Sequence, residues 1–312
     1  MRLYATLTLV VLGAAAPGAT AQPRVEERRP ASATGRVEID NPVGSVKVIG
    51  WSRDEVQVTG TLGARASGVD VVSRPGRTRI QVEVEGNPHR VSSALEIHVP
   101  AGSRVQIESY SGSIDVRDVT GSVKAESVSG AITIAGKPSE VEAESVSGAV
   151  TITGGGRRVR AGSTNASVTI RGGSGVVHAE TTNGALDVSG GDFQEAHLET
   201  TNGAVRFEGG LPAGSSLDVE SVNGSIELRL PATVAADFTI SSFGGAIDSD
   251  FEVRLGPTSS RERERERQRG KGKGRDRHHD DDHEKEMQFS TGGGGATVTI
   301  STLNGRIALR KR

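Results

Sequence analysis

The chain of 312 residues contains no cysteine. That absence excludes a disulfide framework, a thiolate nucleophile and a lipid-modified N-terminal cysteine. Aromatic residues make up only 3% of the chain, too few for the ring-rich core of a conventional globular domain of this length. Neither charge sign dominates, the formal net charge being −2, so no global basicity points to nucleic acid. Long apolar runs are lacking as well. The longest, from Leu3 to Ala16, is shorter than the roughly 20 residues a permanent membrane span needs. It follows Met1-Arg2 and precedes Ala19-Thr20-Ala21, the layout of a secretory signal peptide cleaved near Ala21. An extracytoplasmic product, periplasmic or secreted and without a transmembrane anchor, is therefore expected. Enzyme signatures are also missing. No Gly-x-Ser-x-Gly, phosphate loop or His-Glu-x-x-His occurs, and His89, His98, His178 and His197 have no partner spacing for a triad. The sequence offers no catalytic residues and no cofactor site.

What the chain does have is glycine, 42 residues of it, and a repeat. Ala125-Glu-Ser-Val-Ser-Gly-Ala-Ile-Thr-Ile134 returns eighteen positions later as Ala143-Glu-Ser-Val-Ser-Gly-Ala-Val-Thr-Ile152. Turn glycines recur at Gly112, Gly130, Gly148, Gly184, Gly203, Gly224 and Gly305, with Ala166 in the one vacant place. Side chains alternate along a strand, so Val141, Ala143, Ser145, Val150 and Ile152 face inward while Glu142, Glu144, Thr151 and Thr153 face out. Each unit supplies two strands of about five residues, too few to fold alone. Stacking extends the hydrogen bonding and covers each unit with the next, the logic of a repeat architecture. The expected fold is an all-β solenoid with two-strand coils of about 18–21 residues. Asn183-Gly184, Asn202-Gly203, Asn223-Gly224 and Asn304-Gly305 are also hairpin signals, so an antiparallel meander or sandwich is the alternative.

In chain order, residues 1–21 read as the signal peptide and 22–35 as a flexible leader. Residues 36–100 read as an irregular β region capping the stack, and 101–256 as the regular repeats. Residues 257–290 form a charged, disordered insertion running from Arg261-Glu-Arg-Glu-Arg to Glu286. Residues 291–312 carry the final coil and a basic C-terminus.

Three motifs together carry a family resemblance. They are Ile97-His-Val-Pro100-Ala-Gly before Val105-Gln-Ile-Glu-Ser109-Tyr-Ser-Gly112-Ser-Ile114, the run of Ser/Thr-x-Ser/Asn-Gly-x-Ile/Val units, and Ile300-Ser-Thr-Leu-Asn-Gly305-Arg-Ile307. In these the chain resembles the bacterial putative-adhesin family of β-strand-repeat proteins, a domain of unknown function. The resemblance spans Gly35 to Arg310 apart from the insertion. It implies a right-handed β-helix-like fold outside the cytoplasm and brings no catalytic residues.

Candidate sites follow from the columns. An outward glutamate column of Glu108, Glu126, Glu144, Glu180, Glu199 and Glu220 is interrupted at Gly162. Stacked carboxylates repel, so Glu126, Glu144, Glu180, Glu199 and Glu220 mark a face for cations or a basic partner, eased by Lys124 and Arg160. The inward Ser127, Ser145, Ser163, Thr181, Thr200 and Ser221, with Asn183, Asn202 and Asn223 beside them, read as structural hydrogen-bond ladders. Thr133, Thr151 and Thr169 form a short outward threonine ladder beside Asp115 and Asp187. His278, His279 and His283 in the insertion have side chains that can ligate a divalent metal, though nothing near them fixes a geometry. The function these features favour is a non-catalytic secreted or periplasmic surface, adhesion or envelope-structural module, with a cell-surface polysaccharide or envelope protein as its partner. Two alternatives stand beside it. One is a carbohydrate-active β-helix enzyme using Asp115, Arg117, Asp118 and Asp187; the other is an envelope-sensing scaffold whose charged loop recruits a partner.

Overall fold

The computed structural model describes residues 24–63, 66–84, 93–252 and 285–312. Residues 1–23, which include the expected signal peptide, and most of the charged segment 257–290, including His278, His279 and His283, lie outside the described residues. The described chain is all-β, with 25 strands and no helix. The first seven strands are β1 (Arg24–Pro30), β2 (Arg36–Val43), β3 (Ser45–Trp51), β4 (Glu55–Leu62), β5 (Ala66–Arg74), β6 (Arg77–Val84) and β7 (Ser93–Pro100). The repeats hold β8 (Arg104–Ser111), β9 (Ile114–Arg117), β10 (Ser122–Ser127), β11 (Ile132–Gly136), β12 (Glu140–Ser145), β13 (Val150–Gly154) and β14 (Arg158–Ser163). They continue through β15 (Val168–Arg171), β16 (Ser174–Thr181), β17 (Leu186–Thr200), β18 (Val205–Gly210), β19 (Ser216–Ser221) and β20 (Ile226–Leu230). The last five are β21 (Ala236–Ser242), β22 (Ile247–Ser249), β23 (Lys285–Thr291), β24 (Ala296–Thr302) and β25 (Ile307–Lys311).

Like positions of successive units pair in parallel and in register. One ladder runs through β8, β10, β12, β14, β16, the second half of β17 and β19, aligning Val105, Val123, Val141, Val159 and Val177. A second runs through β9, β11, β13, β15, the first half of β17, β18 and β20, aligning Ile114, Ile132, Val150, Val168 and Leu186. The strands on either side of an Asn-Gly turn lie in different ladders, so these turns close no hairpin and the antiparallel meander does not describe the repeats. Inward columns such as Val141/Ala143 and Val150/Ile152 are buried. Valine, isoleucine and alanine fill the regular middle, whereas Phe193 and Phe207 pack together further along, ring centroids 6.0 Å apart.

The ends depart from sequence order. The unit β2–β3 lies between β6–β7 and β8–β9. Antiparallel strands close that end, β5 on β6, β4 on β7 and β1 on β4. Arg24–Pro30 is therefore an ordered edge strand and not part of a flexible leader. Backbone pairing needs no apolar side chains, and the charges and proline of β1 are those that blunt an exposed edge. The other end mirrors this arrangement. The unit β24–β25 is inserted between β19–β20 and β21–β22, so the segment 291–312 holds the penultimate level of the stack and not its final coil. β23 pairs antiparallel with β21, which makes residues 285–290 strand where the sequence suggested disorder. Phe289 of β23 stacks on Phe238 at 4.7 Å between ring centroids, and that burial holds the strand in place.

Candidate binding face

The site grows from the chemistry of one corner. Ser145 Oγ accepts the N–H of Gly148 at 2.9 Å and donates to the Gly130 carbonyl, one unit away, at 3.2 Å. Ser163 repeats this with the Ala166 N–H at 3.2 Å and the Gly148 carbonyl at 3.0 Å. Thr181 and Thr200 donate to the carbonyls of Ala166 and Gly184. Beside them each asparagine amide donates to the one before, Asn183 to Asn165, Asn202 to Asn183, Asn223 to Asn202 and Asn304 to Asn223, at 2.9–3.1 Å. The turn glycines are needed for proximity. A Cβ at Gly130, Gly148, Gly184, Gly203, Gly224 or Gly305 would collide with the carbonyl of the turn residue one level away, and at Gly112 with that of Gly44.

With the Ser/Thr held inside, the residues immediately before and after it both turn outward. The column before it aligns Asp40, Glu108, Glu126, Glu144, Gly162, Glu180, Glu199 and Glu220. The column after it stacks Tyr110, Val128, Val146, Thr164, Thr182, Thr201, Val222, Leu303 and Phe243 through backbone bonds from unit to unit. Between the two columns runs an open groove of about 710 Å³, from Asp40 to Glu199. Six carboxylates line it and no basic side chain does. Glu220 continues the column beyond the groove.

Cations stand one column outside, on the groove's outer flank. Lys124 Nζ lies 2.8 Å from Glu126 and 2.9 Å from Glu142, and these partners, Glu126 foremost, raise its amine above the usual lysine range. Arg160 spans the gap at Gly162, reaching Glu144 at 3.5 Å and Glu180 at 3.4 Å. His178 and His197 stack with ring centroids 5.0 Å apart, His178 being 3.3 Å from Glu180 and His197 3.2 Å from Asp218. Lys124 and Arg160 thus contact the acidic column, and the two histidines stand in the same flanking column.

The apolar column is what the sequence reading missed. Among the described residues, the exposed large hydrophobics Tyr110, Val128, Val146, Val222, Phe243 and Leu303 all lie in it and only Val72 does not. Scattered apolar residues on a surface are ordinary; a line of them is not. Its signal was present in the residue following each buried Ser or Thr, apolar in Ser-Val-Ser-Gly and Thr-Leu-Asn-Gly where a solvated turn would be polar.

The other candidates are not drawn together. The second ladder aligns Asp115, Thr133, Thr151, Thr169 and Asp187, so Asp187 is four levels, about 19 Å, from Asp115. Paired carboxylates for glycoside hydrolysis stand about 5–9.5 Å apart. Asp115 is engaged by Arg117 at 2.7 Å, and Asp118 occupies a turn at φ 56°. Among the described residues no group of three or more His, Asp or Glu could hold a metal, and no helix is long and apolar enough to cross a membrane.

No protein-family model and no curated protein matches the chain. Among solved structures it is similar to a putative adhesin from Bacteroides fragilis, at 8% identity and TM-score 0.47, over 93% of this chain and 98% of that one. A putative adhesin from Parabacteroides distasonis follows at 7% identity and TM-score 0.34, over 93% and 98% of the two chains. A putative cell adhesion protein from Clostridium sporogenes aligns at 8% identity and TM-score 0.25, over 93% and 100%. The solved structures that this chain resembles are thus described as putative adhesins, as is the family whose repeat motifs its sequence resembles.

Proposed function

We propose that this chain is a non-catalytic, extracytoplasmic β-solenoid that binds an extended partner at the cell envelope along its grooved ladder, as an adhesion or surface module does. The solenoid reading is supported by in-register parallel pairing of like positions through both ladders. The extracytoplasmic reading rests on the layout of residues 1–21. One observation carries the binding reading: Tyr110, Val128 and Val146 of the exposed apolar column and the acidic column border the same groove. An apolar line on a monomer's surface costs solubility and marks a place where something is covered. What the grooved ladder face offers a partner is area and register.

The test is retention of the labelled, purified chain on cell-envelope preparations. Val128→Ser combined with Val146→Ser, which removes apolar surface without adding charge, is expected to cut retention about tenfold, a ratio equivalent to about 1.4 kcal/mol, with the melting temperature unchanged. Equal retention by the variant and the parent would overturn the reading.

A further inference from the structure

We propose that the groove takes a basic peptide segment in the polyproline II conformation, with lysine or arginine at every third position. This rests on the reading of the groove as a binding surface and names its occupant. Charge gives the first argument. The six lining carboxylates have no basic neighbour inside the groove, while Lys124, Arg160 and the two histidines stand on its outer flank and orient the acids from behind. A cationic chain laid in the groove completes this pattern; an anionic one would meet repulsion along its whole length.

Width gives the second argument. The two walls come from residues two apart in sequence, such as Glu126 near the end of β10 and Val128 in the turn that follows it, so they stand at most about 7 Å apart along the chain. An α-helix, about 10–12 Å across with its side chains, does not enter. Spacing gives the third. Successive levels are about 4.8 Å apart, so carboxylates on alternate levels are separated by about 9.6 Å. A polyproline II chain turns once in three residues, a rise of about 9.3 Å. An extended β-strand presents same-face side chains every 6.6–6.8 Å, approximately, and loses register after one step. The column shows the two-level spacing itself at Gly162, where Glu144 and Glu180 are the neighbouring acids. On the opposite wall Tyr110, Val128 and Val146 meet the apolar faces of the intervening residues, as polyproline II recognition uses apolar-lined grooves. An amino-sugar polymer shares the positive charge, but sugar rings pack best on aromatic platforms, and Tyr110 is the one aromatic residue lining this groove.

Calorimetric titration of the full chain with (Lys-Pro-Pro)4 and with a peptide of the same composition whose lysines are contiguous tests the proposal. The periodic peptide is expected to bind about tenfold more tightly, the equivalent of a few exposed charge pairs brought into register. That binding should be lost in Glu108→Gln/Glu144→Gln/Glu180→Gln, which removes the acids of one alternate-level set and leaves the other interrupted at Gly162, and Glu108→Lys/Glu144→Lys/Glu180→Lys should instead bind (Glu-Pro-Pro)4. Circular dichroism melts of both variants verify folding. Equal affinity for the two lysine peptides would reduce the groove to a diffuse acidic surface and overturn the proposal. Binding of oligoglucosamine but of neither peptide would also overturn it, in favour of an amino-sugar ligand. If nothing binds while Val128→Ser/Val146→Ser still lowers envelope retention, the peptide is wrong and the groove reading survives. If that retention is insensitive too, both fall.

Discussion

A methyl group at Gly148 would meet the Gly130 carbonyl directly, and that carbonyl cannot retreat without breaking the corner beneath it. Gly148→Ala is therefore expected to destabilise the protein by about 1–3 kcal/mol, the usual cost of overpacking, read as a lower denaturation midpoint in urea. Gly162 makes the opposite case. A Cβ there lies 3.4 Å from Glu180 Cγ, an ordinary contact, so Gly162→Ala should stay within about 0.5 kcal/mol of the parent. A chain in which both substitutions cost the same would show that glycine is needed for backbone freedom and not for proximity. Ser145→Ala removes the acceptor of the Gly148 N–H and the donor to Gly130 at once. Leaving a buried amide unpaired costs about 1–3 kcal/mol, so this variant should match Gly148→Ala in midpoint.

Among the elements, the short pairing of β22 with β25 is held from outside by ions. Asp248 is 2.8 Å from Arg310 and 2.6 Å from Arg306, and these partners, Arg310 first, hold its carboxyl below the ordinary aspartate value of 3.8. A depressed carboxylate contributes stability that is fully present above the unfolded value and is lost as pH falls through the folded one. Amides of Ile247–Ser249 should thus lose protection against hydrogen exchange, beyond the intrinsic pH effect, as pH drops below 3.8. Asp248→Asn should flatten that dependence; an unchanged profile in the variant would remove the ion pairs as its cause. The contrast with the middle of the chain explains what sequence could convey about elements. The columns of Val141, Ala143, Ser145 and Glu144 were readable because eighteen-residue periodicity and strand alternation fix both stacking and facing. β1 and β23 were not, since an edge strand is selected by backbone pairing and tolerates Arg28, Arg29 or Gln288 on its open sides. The acidic wall of the groove was readable for the same reason as the core, whereas its apolar wall sat in turn positions, where a hydrophobic residue such as Val146 registers as noise until neighbouring turns are stacked.

At the scale of the molecule, both ends of the stack have their last two levels exchanged relative to the chain, and periodicity is blind to that exchange. Every unit presents the same inward pair, Val219, Ile300 and Ile240 occupying one buried column, so hydrophobic patterning permits either order of β24 and β21. What distinguishes the two orders is the corner. Asn304 continues the asparagine ladder from Asn223, while the unit of β21 has Gly244 in that place and can only end it. The antiparallel cap of β23, with Phe289 on Phe238, needs an open edge of β21 and so requires β21–β22 to be the outermost two-strand level. The native absence of cysteine makes this order directly testable. Asn223→Cys with Asn304→Cys places the thiols on adjacent levels, about 4.8 Å apart along the stack, and should oxidise readily to an intramolecular disulfide. Asn223→Cys with Gly244→Cys separates them by two levels, about 9.6 Å, beyond the roughly 7 Å Cα limit for a bridge, and should stay reduced. A stack built in simple chain order would reverse the two results, because β21 would then lie directly on β19 and the returning strand would be the outermost.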